Sequence, residues 1–260
     1  MSIISRFFST GRRPPANSAV PDGLRVYAVG DVHGRFDLLT EMSDKIRADL
    51  AGDPPERSVE IYLGDYVDRG PDARSVIAWL RSDTAVCNER ICLKGNHEDI
   101  FLQFIADSGI GEYWRDLGGF ETLYSYGVKP PVARTGEAVL ASHEQLIAVL
   151  PGEDLRFLLS LPLHVSFGDY LFVHAGLRPG VPLEKQTEED LIWIREPFLT
   201  SGYDFGQIVV HGHTPADAPE IRPNRINIDT GAFLTGTLTC LVLEGTERGF
   251  IRSGAMAAGG

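Results

Sequence analysis

The chain has 260 residues, 43% hydrophobic and 23% charged, with a formal net charge of −12. This is the composition expected of a soluble globular protein large enough to fold without disulfide staples. The acidic balance argues against a DNA or RNA duplex as partner, and no apolar run approaches the roughly 18 residues of a membrane span. Cys87, Cys92 and Cys240 are an odd trio without Cys-x-x-Cys spacing, which reads as small buried hydrophobes in a reducing, cytoplasmic compartment.

The opening MSIISRFFSTGRRPP carries Arg6, Arg12 and Arg13, and no acid occurs in the first 21 residues. It shares some features with transit peptides but is too polar for a secretory signal. Residues 1–22 are read as a flexible basic tail. An apolar run, Leu24–Val29, predicts the first strand, and GDVHG (Gly30–Gly34) follows it. Phe36, Leu39, Met42, Ile46 and Leu50 have helical spacing over Phe36–Leu50. The pattern then repeats: strand Val59–Leu63 with GDYVDRG (Gly64–Gly70) and a helix over Asp72–Leu80, then strand Arg90–Leu93 with GNHE (Gly95–Glu98) and a helix over His97–Ala106. Alternating strands and helices predict a parallel α/β arrangement, in which reacting groups gather beyond the carboxyl ends of the strands.

From about residue 111 to 161 the pattern is helical and is read as an insertion within one domain spanning 23–250. Leu163–Phe167 and Tyr170–His174 flank Gly168–Asp169 as a hairpin. Strands are predicted at Gln207–Val210, Arg225–Ile228 and Thr237–Leu243, and residues 251–260 as a flexible end. A parallel first half and an antiparallel second half imply two mixed β-sheets packed as a sandwich flanked by helices.

Two more loops, FVHAGL (Phe172–Leu177) and VVHGHTP (Val209–Pro215), again place histidine at the end of an apolar run. The metal-ligand set becomes Asp31, His33, Asp65, Asn96, His174 and His213. Mixed carboxylate, amide and imidazole donors suit Mn, Fe, Zn, Co or Ni, and the lack of thiolates argues against a closed structural zinc site. So many donors exceed one tetrahedral ion and suit two divalent ions, Mn2+ being the expected occupant, with Asp65 bridging them. Two ions roughly 3.5–4 Å apart clamp a phosphoryl group and activate a shared water.

GDVHG, GDYVDRG, GNHE, the isolated His174 and GHT at Gly212–Thr214, in that order, resemble the calcineurin-like metallophosphoesterases and, more narrowly, the phosphoprotein phosphatase family. The resemblance covers about Leu24 to Leu243. It implies that Asp31, His33 and Asp65 hold one metal and that Asp65, Asn96, His174 and His213 hold the other. It further implies a metal-bridging hydroxide as nucleophile, His97 as the acid oriented by Asp68, and Arg69 and Arg195 as phosphate-binding groups. A histidine beside a carboxylate suits the acid role, and a guanidinium fork suits phosphate.

His211 lies two residues before His213 and is read as either a supporting or a purely structural residue; His143 and His164 are read as ordinary residues. Glu98 is taken as a helix-start charge with no catalytic task. Tyr113, Trp114, Tyr124 and Tyr126 are read as groove-lining residues or as packing of the insertion. Asp68 stands where purple acid phosphatases carry tyrosine. The absence of a SAPNY-like segment, and LKGNHE in place of LRGNHE, resemble bacterial-type members. The expected activity is that of a serine/threonine protein phosphatase acting on phosphoproteins or phosphopeptides. The alternative is a bis(5′-nucleosyl)-tetraphosphatase acting on dinucleoside polyphosphates. Small phosphoesters are further expected substrates, and a non-catalytic phosphate-binding scaffold ranks last because no expected ligand is missing.

Overall fold

A computed structural model describes residue 15, residues 17–133 and residues 135–254. The first sheet is built from β1 (Leu24–Val29), β2 (Arg57–Tyr62), β3 (Glu89–Cys92), β9 (Leu238–Glu244) and β10 (Glu247–Ser253), in the order β10-β9-β1-β2-β3. β1, β2 and β3 run parallel, joined through α1 (Phe36–Gly52) and α2 (Ala73–Leu80). The second sheet contains β4 (His164–Phe167), β5 (Tyr170–Val173), β6 (Ile208–His211), β7 (Glu220–Ile221) and β8 (Arg225–Asn227), in the order β4-β5-β6-β8-β7. After β3 come α3 (Asn96–Ala106) and then the insertion: α4 (Gly111–Asp116), α5 (Gly119–Ser125), α6 (Gly136–Val149) and α7 (Gly152–Ser160). The segment between β5 and β6 carries α8 (Glu188–Trp193), and α9 (Ala232–Thr235) precedes β9.

Strand alternation divides the core into layers. Val26 and Ala28 of β1 face Phe172 and Val210 of the second sheet, whereas Tyr27 and Val29 face the helical layer with Leu39, Met42 and Phe101. On the far side of the second sheet, Leu171 and Val209 pack against Leu191, Ile192 and Phe198. The result is helices, sheet, sheet and a thinner outer layer. Cys87, Cys92 and Cys240 are free thiols buried in or at the edge of this core. Burial pushes the Cys92 thiol up to about 12, consistent with an inert packing role.

Three expectations need correction. The second sheet is not antiparallel throughout, because β5, β6 and β8 run parallel and only the β4–β5 and β7–β8 pairs are antiparallel. The long segment from His174 to Gln207 supplies the crossover that a parallel pair requires. The ordered fold also begins before residue 23: Val20 is buried, and its N–H donates to Gly245 O at 3.1 Å. At the other end β10 runs to Ser253, past the expected limit at residue 250, and Ser253 Oγ donates to Leu38 O at 2.8 Å. The rest of the basic tail and residues 255–260 lie outside the described residues. No helix among the described residues is long and apolar enough to cross a membrane.

Candidate metal centre and active site

Parallel strands of both sheets deliver their carboxyl ends to one place. β1 leads into Asp31 and His33, β2 into Asp65, and β3 into Asn96 and His97; β5 leads into His174 and β6 into His213. The loops are tied to one another through their backbones. Val32 N–H and His33 N–H donate to Asp65 O at 3.1 and 2.8 Å, and Gly212 N–H donates to His174 O at 2.8 Å. Among the described residues, the non-glycine residues with positive φ are His33, Asp65, Asp68, Arg69 and His213. Backbone held in that region costs about 1–3 kcal/mol per residue and persists only where the surroundings over-determine it. Here it is confined to the residues singled out from the motifs.

Two glycines permit the close approach. A Cβ at Gly212 would lie 2.0 Å from Asp31 Oδ1, and one at Gly64 (φ +110°) would lie 2.7 Å from Gly95 N. Neither position has room for a side chain.

Asp65 is the hub. Its Oδ2 lies 3.4 Å from His33 Nε2 and 3.9 Å from His97 Nε2, while its Oδ1 lies 3.4 Å from His174 Nε2. Two donor sets therefore share this carboxylate: His33, Asp65 and His97, and Asp65, His174 and His213, each with donor atoms within 4.8 Å of one another. Asn96 Oδ1 joins the second set, 2.9 Å from His174 Nε2 and 2.8 Å from His213 Nδ1. Asp31 lies outside both three-residue sets. Its Oδ2 accepts the His213 N–H at 3.0 Å.

The imidazoles are set up as neutral donors. His33 Nδ1–H donates to Val67 O and His174 Nδ1–H to Leu63 O, each at 2.9 Å, which turns the Nε2 lone pair of each ring toward the centre. Burial lowers the pKa of His33 to about 3, of His213 to about 2, and of His174 below its ordinary value. For Asp65, burial acts in the opposite sense, but His174, His97, His33 and His213 outweigh it and hold the carboxylate below its usual range. Burial, Asp229 and Asp65 raise Asp31. Three buried atoms, Asp31 Oδ1, His97 Nε2 and His213 Nε2, have no hydrogen-bond partner. Neutral imidazoles, crowded carboxylates and the orphaned Asp31 Oδ1 fit a pair of divalent cations.

Beside these donor sets, His97 Nδ1 lies 2.7 Å from Asp68 Oδ2. Burial lowers the affinity of His97 for its proton, yet Asp65 and Asp68 outweigh it and raise the pKa above the ordinary histidine value. Arg69 stands next to this pair, its Nη1 3.2 Å from His33 Nε2 and its Cζ 4.8 Å from the centre of the Phe233 ring. Arg195 is exposed on the His174–His213 side, and its charge helps depress both imidazoles.

A profile of the calcineurin-like phosphoesterase family matches residues 24–234. The chain belongs to this family. It is 27% identical over 233 residues to the asymmetrical bis(5′-nucleosyl)-tetraphosphatase PrpE of Halalkalibacterium halodurans, covering 82% of this chain and 87% of that one. It is 29% identical over 223 residues to serine/threonine-protein phosphatase 1 of Salmonella typhimurium, covering 82% and 89%. In fold it is similar to a putative diadenosine tetraphosphatase, with a TM-score of 0.62, 19% identity, and coverage of 92% of this chain and 96% of that one. The chain is a metallophosphoesterase.

Thr122 and Phe233 escaped the sequence reading, and Glu98 and Trp114 take parts it did not give them. Glu98 is buried, and its carboxylate accepts the N–H groups of Asp65, Tyr66, Val67 and Gly95 at 2.7–3.3 Å. Its signal was its place as the third residue of a helix whose cap is glycine. Trp114 and Thr122 both reach Asp68, and Phe233 faces His33 at 5.3 Å between ring centres. Trp114 and Tyr126 are buried, whereas Tyr113 and Tyr124 are 52% and 73% exposed, so the four aromatics do not form one wall. His211 is buried between Arg225 and Phe198 and contributes to packing, away from both donor sets. His143 contacts the Ile105 carbonyl, and His164 is exposed on β4.

Proposed function

We propose that this chain hydrolyses phosphomonoesters with the aid of two divalent cations, and that its substrates are phosphoserine and phosphothreonine in proteins. The observation that carries the proposal is the buried His97–Asp68 pair, whose free Nε2 faces the shared Asp65 carboxylate. An alkoxide is a poor leaving group and needs a proton, whereas a nucleotide phosphate departs readily without one. A fixed acid is therefore worth most for a serine or threonine ester.

Asp31, His33 and Asp65 would hold one cation, and Asp65, Asn96, His174 and His213 the other, with Mn2+ proposed as occupant. When bound, the pair supplies Lewis-acid polarisation of the phosphoryl oxygens and a nucleophile from water near neutral pH. His97 Nε2–H gives its proton to the ester oxygen as the P–O bond breaks, and the free hydroxyl leaves. Asp68 stabilises the imidazolium before that transfer and holds the ring in place. Arg69 and Arg195 grip phosphoryl oxygens from opposite sides of the centre, where their charge counters that of the transition state.

A second reading, asymmetric cleavage of dinucleoside tetraphosphates, is favoured by the similarity to PrpE. An assay with Mn2+ comparing a phosphoserine peptide, p-nitrophenyl phosphate and diadenosine tetraphosphate separates the two. The first reading expects kcat/KM on the peptide to exceed that on the dinucleotide. Rapid cleavage of the dinucleotide with an inert peptide would replace it by the second.

A further inference from the structure

The helical insertion between β3 and β4 reaches the acid residue directly. Asp68 is fully buried at φ +67°, and each of its oxygens has an assigned partner. Oδ2 takes the His97 ring at 2.7 Å, and Oδ1 accepts Thr122 Oγ1–H at 2.7 Å. The same Thr122 oxygen accepts the Asp68 N–H at 2.8 Å, so one hydroxyl holds both the backbone and the carboxylate of Asp68. Trp114 Nε1–H donates across both carboxylate oxygens at 3.0 and 3.1 Å. Gly118, at the junction of α4 and α5, accepts the Arg69 N–H at 3.0 Å.

Trp114 is also stacked on Phe104 and Phe101, with ring centres 4.4 and 5.3 Å apart. Both phenylalanines belong to α3, the helix that carries His97. The insertion thus braces the carboxylate against the helix that bears the acid. Thr122, Trp114 and Asp68 are all fully buried, so water cannot substitute for a lost hydroxyl without a rearrangement.

From this geometry we propose that Thr122 and Trp114 are positioning residues for the leaving-group acid, acting on His97 through Asp68. The inference rests on the phosphomonoesterase reading and deepens it. A carboxylate allowed to turn would let the imidazole swing, and the proton would no longer point at the departing oxygen. The loss should therefore scale with how much the leaving group needs that proton.

Phenyl phosphate and p-nitrophenyl phosphate are close in size, but phenolate is much the poorer leaving group. With Mn2+ present, Thr122→Val is expected to lower kcat on phenyl phosphate by about tenfold or more, and on p-nitrophenyl phosphate by less than about twofold. KM should stay within about twofold on both, and Thr122→Ser, which keeps the hydroxyl, should restore most of the loss. Trp114→Phe should show the same split, and it carries the test if Thr122→Val does not fold by circular dichroism. His97→Asn is run alongside as reference. A split in His97→Asn together with equal losses, or none, in Thr122→Val (or in Trp114→Phe standing in for it) overturns the positioning role alone. A wild-type protein that cleaves neither ester overturns the phosphomonoesterase reading, and this inference with it.

Discussion

The Glu98 carboxylate accepts the Asp65 N–H at 2.8 Å, so the helix that presents His97 also fixes the loop that presents the carboxylate common to both donor sets. Burial and the Asp65 charge push Glu98 up to about 7, while four N–H donors favour its ionised form. Glu98→Gln exchanges one acceptor oxygen for an NH2 group facing two donors. A loss of about 2–4 kcal/mol is expected, together with weaker metal retention. Thermal unfolding and metal analysis of the same preparation check this; an unchanged Tm would refute the bracing role.

Asp65 belongs to both donor sets. Asp65→Asn is therefore expected to reduce occupancy at both metal positions instead of one. Elemental analysis after gel filtration reads the stoichiometry, and normal dinuclear content would exclude the bridging arrangement.

His97 has a buried, unpartnered Nε2 and a bond to Asp68 through its other nitrogen. His97→Asn should lower kcat by about 10²–10⁴-fold while most of the metal remains bound. Loss of both metals in this variant would move His97 from acid to ligand.

Asp190, in the first turn of α8, belongs to neither donor set and offers a separate pH test. Its hydrogen bonds with Arg178 hold its pKa below the ordinary carboxylate value, outweighing burial. The folded state keeps Asp190 ionised at pH values where the unfolded chain is already protonated. Its contribution is therefore present above the unfolded pKa near 3.8 and is lost as pH falls through the lower folded value. Arg178 is half exposed, so solvent screens the pair and its contribution is small. Asp190→Asn should lower Tm at pH 7, with the difference from wild type vanishing at strongly acidic pH. A constant difference across the pH range would count against the ion pair.

The clustering of the candidate donors was legible because each sits on a short loop immediately after an apolar run, so strand end and chemical group are read from the same few residues. GDVHG and GNHE needed no knowledge of distant parts of the chain. The partners of Asp68 did, since Trp114 and Thr122 are 46 and 54 residues away in sequence and reach it only through the packing of α4 and α5. The direction of β6 and β8 was hidden for a related reason. Antiparallel and parallel strands share the same two-residue alternation, and only the length of the intervening crossover distinguishes them. Glu98 was assigned to the helix dipole because three of the N–H groups that donate to it, those of Asp65, Tyr66 and Val67, lie on the distant GDYVDRG loop. β10 was missed altogether, since no strand was read after Leu243; its last residues, Arg252 and Ser253, match a frayed end but pair with Thr239 and Leu238.

Asp31, His33, Asp65 and Asn96 come from the first sheet, and His174 and His213 from the second. The donor cluster consequently straddles the seam of the sandwich. Sliding one sheet past the other by an ångström would leave every strand intact and still pull the donors out of common reach. The apolar contacts of Phe172 and Val210 with Val26 and Ala28 serve as the gauge that sets the spacing of the reacting groups. A packing change there would silence the enzyme while its secondary structure stayed whole.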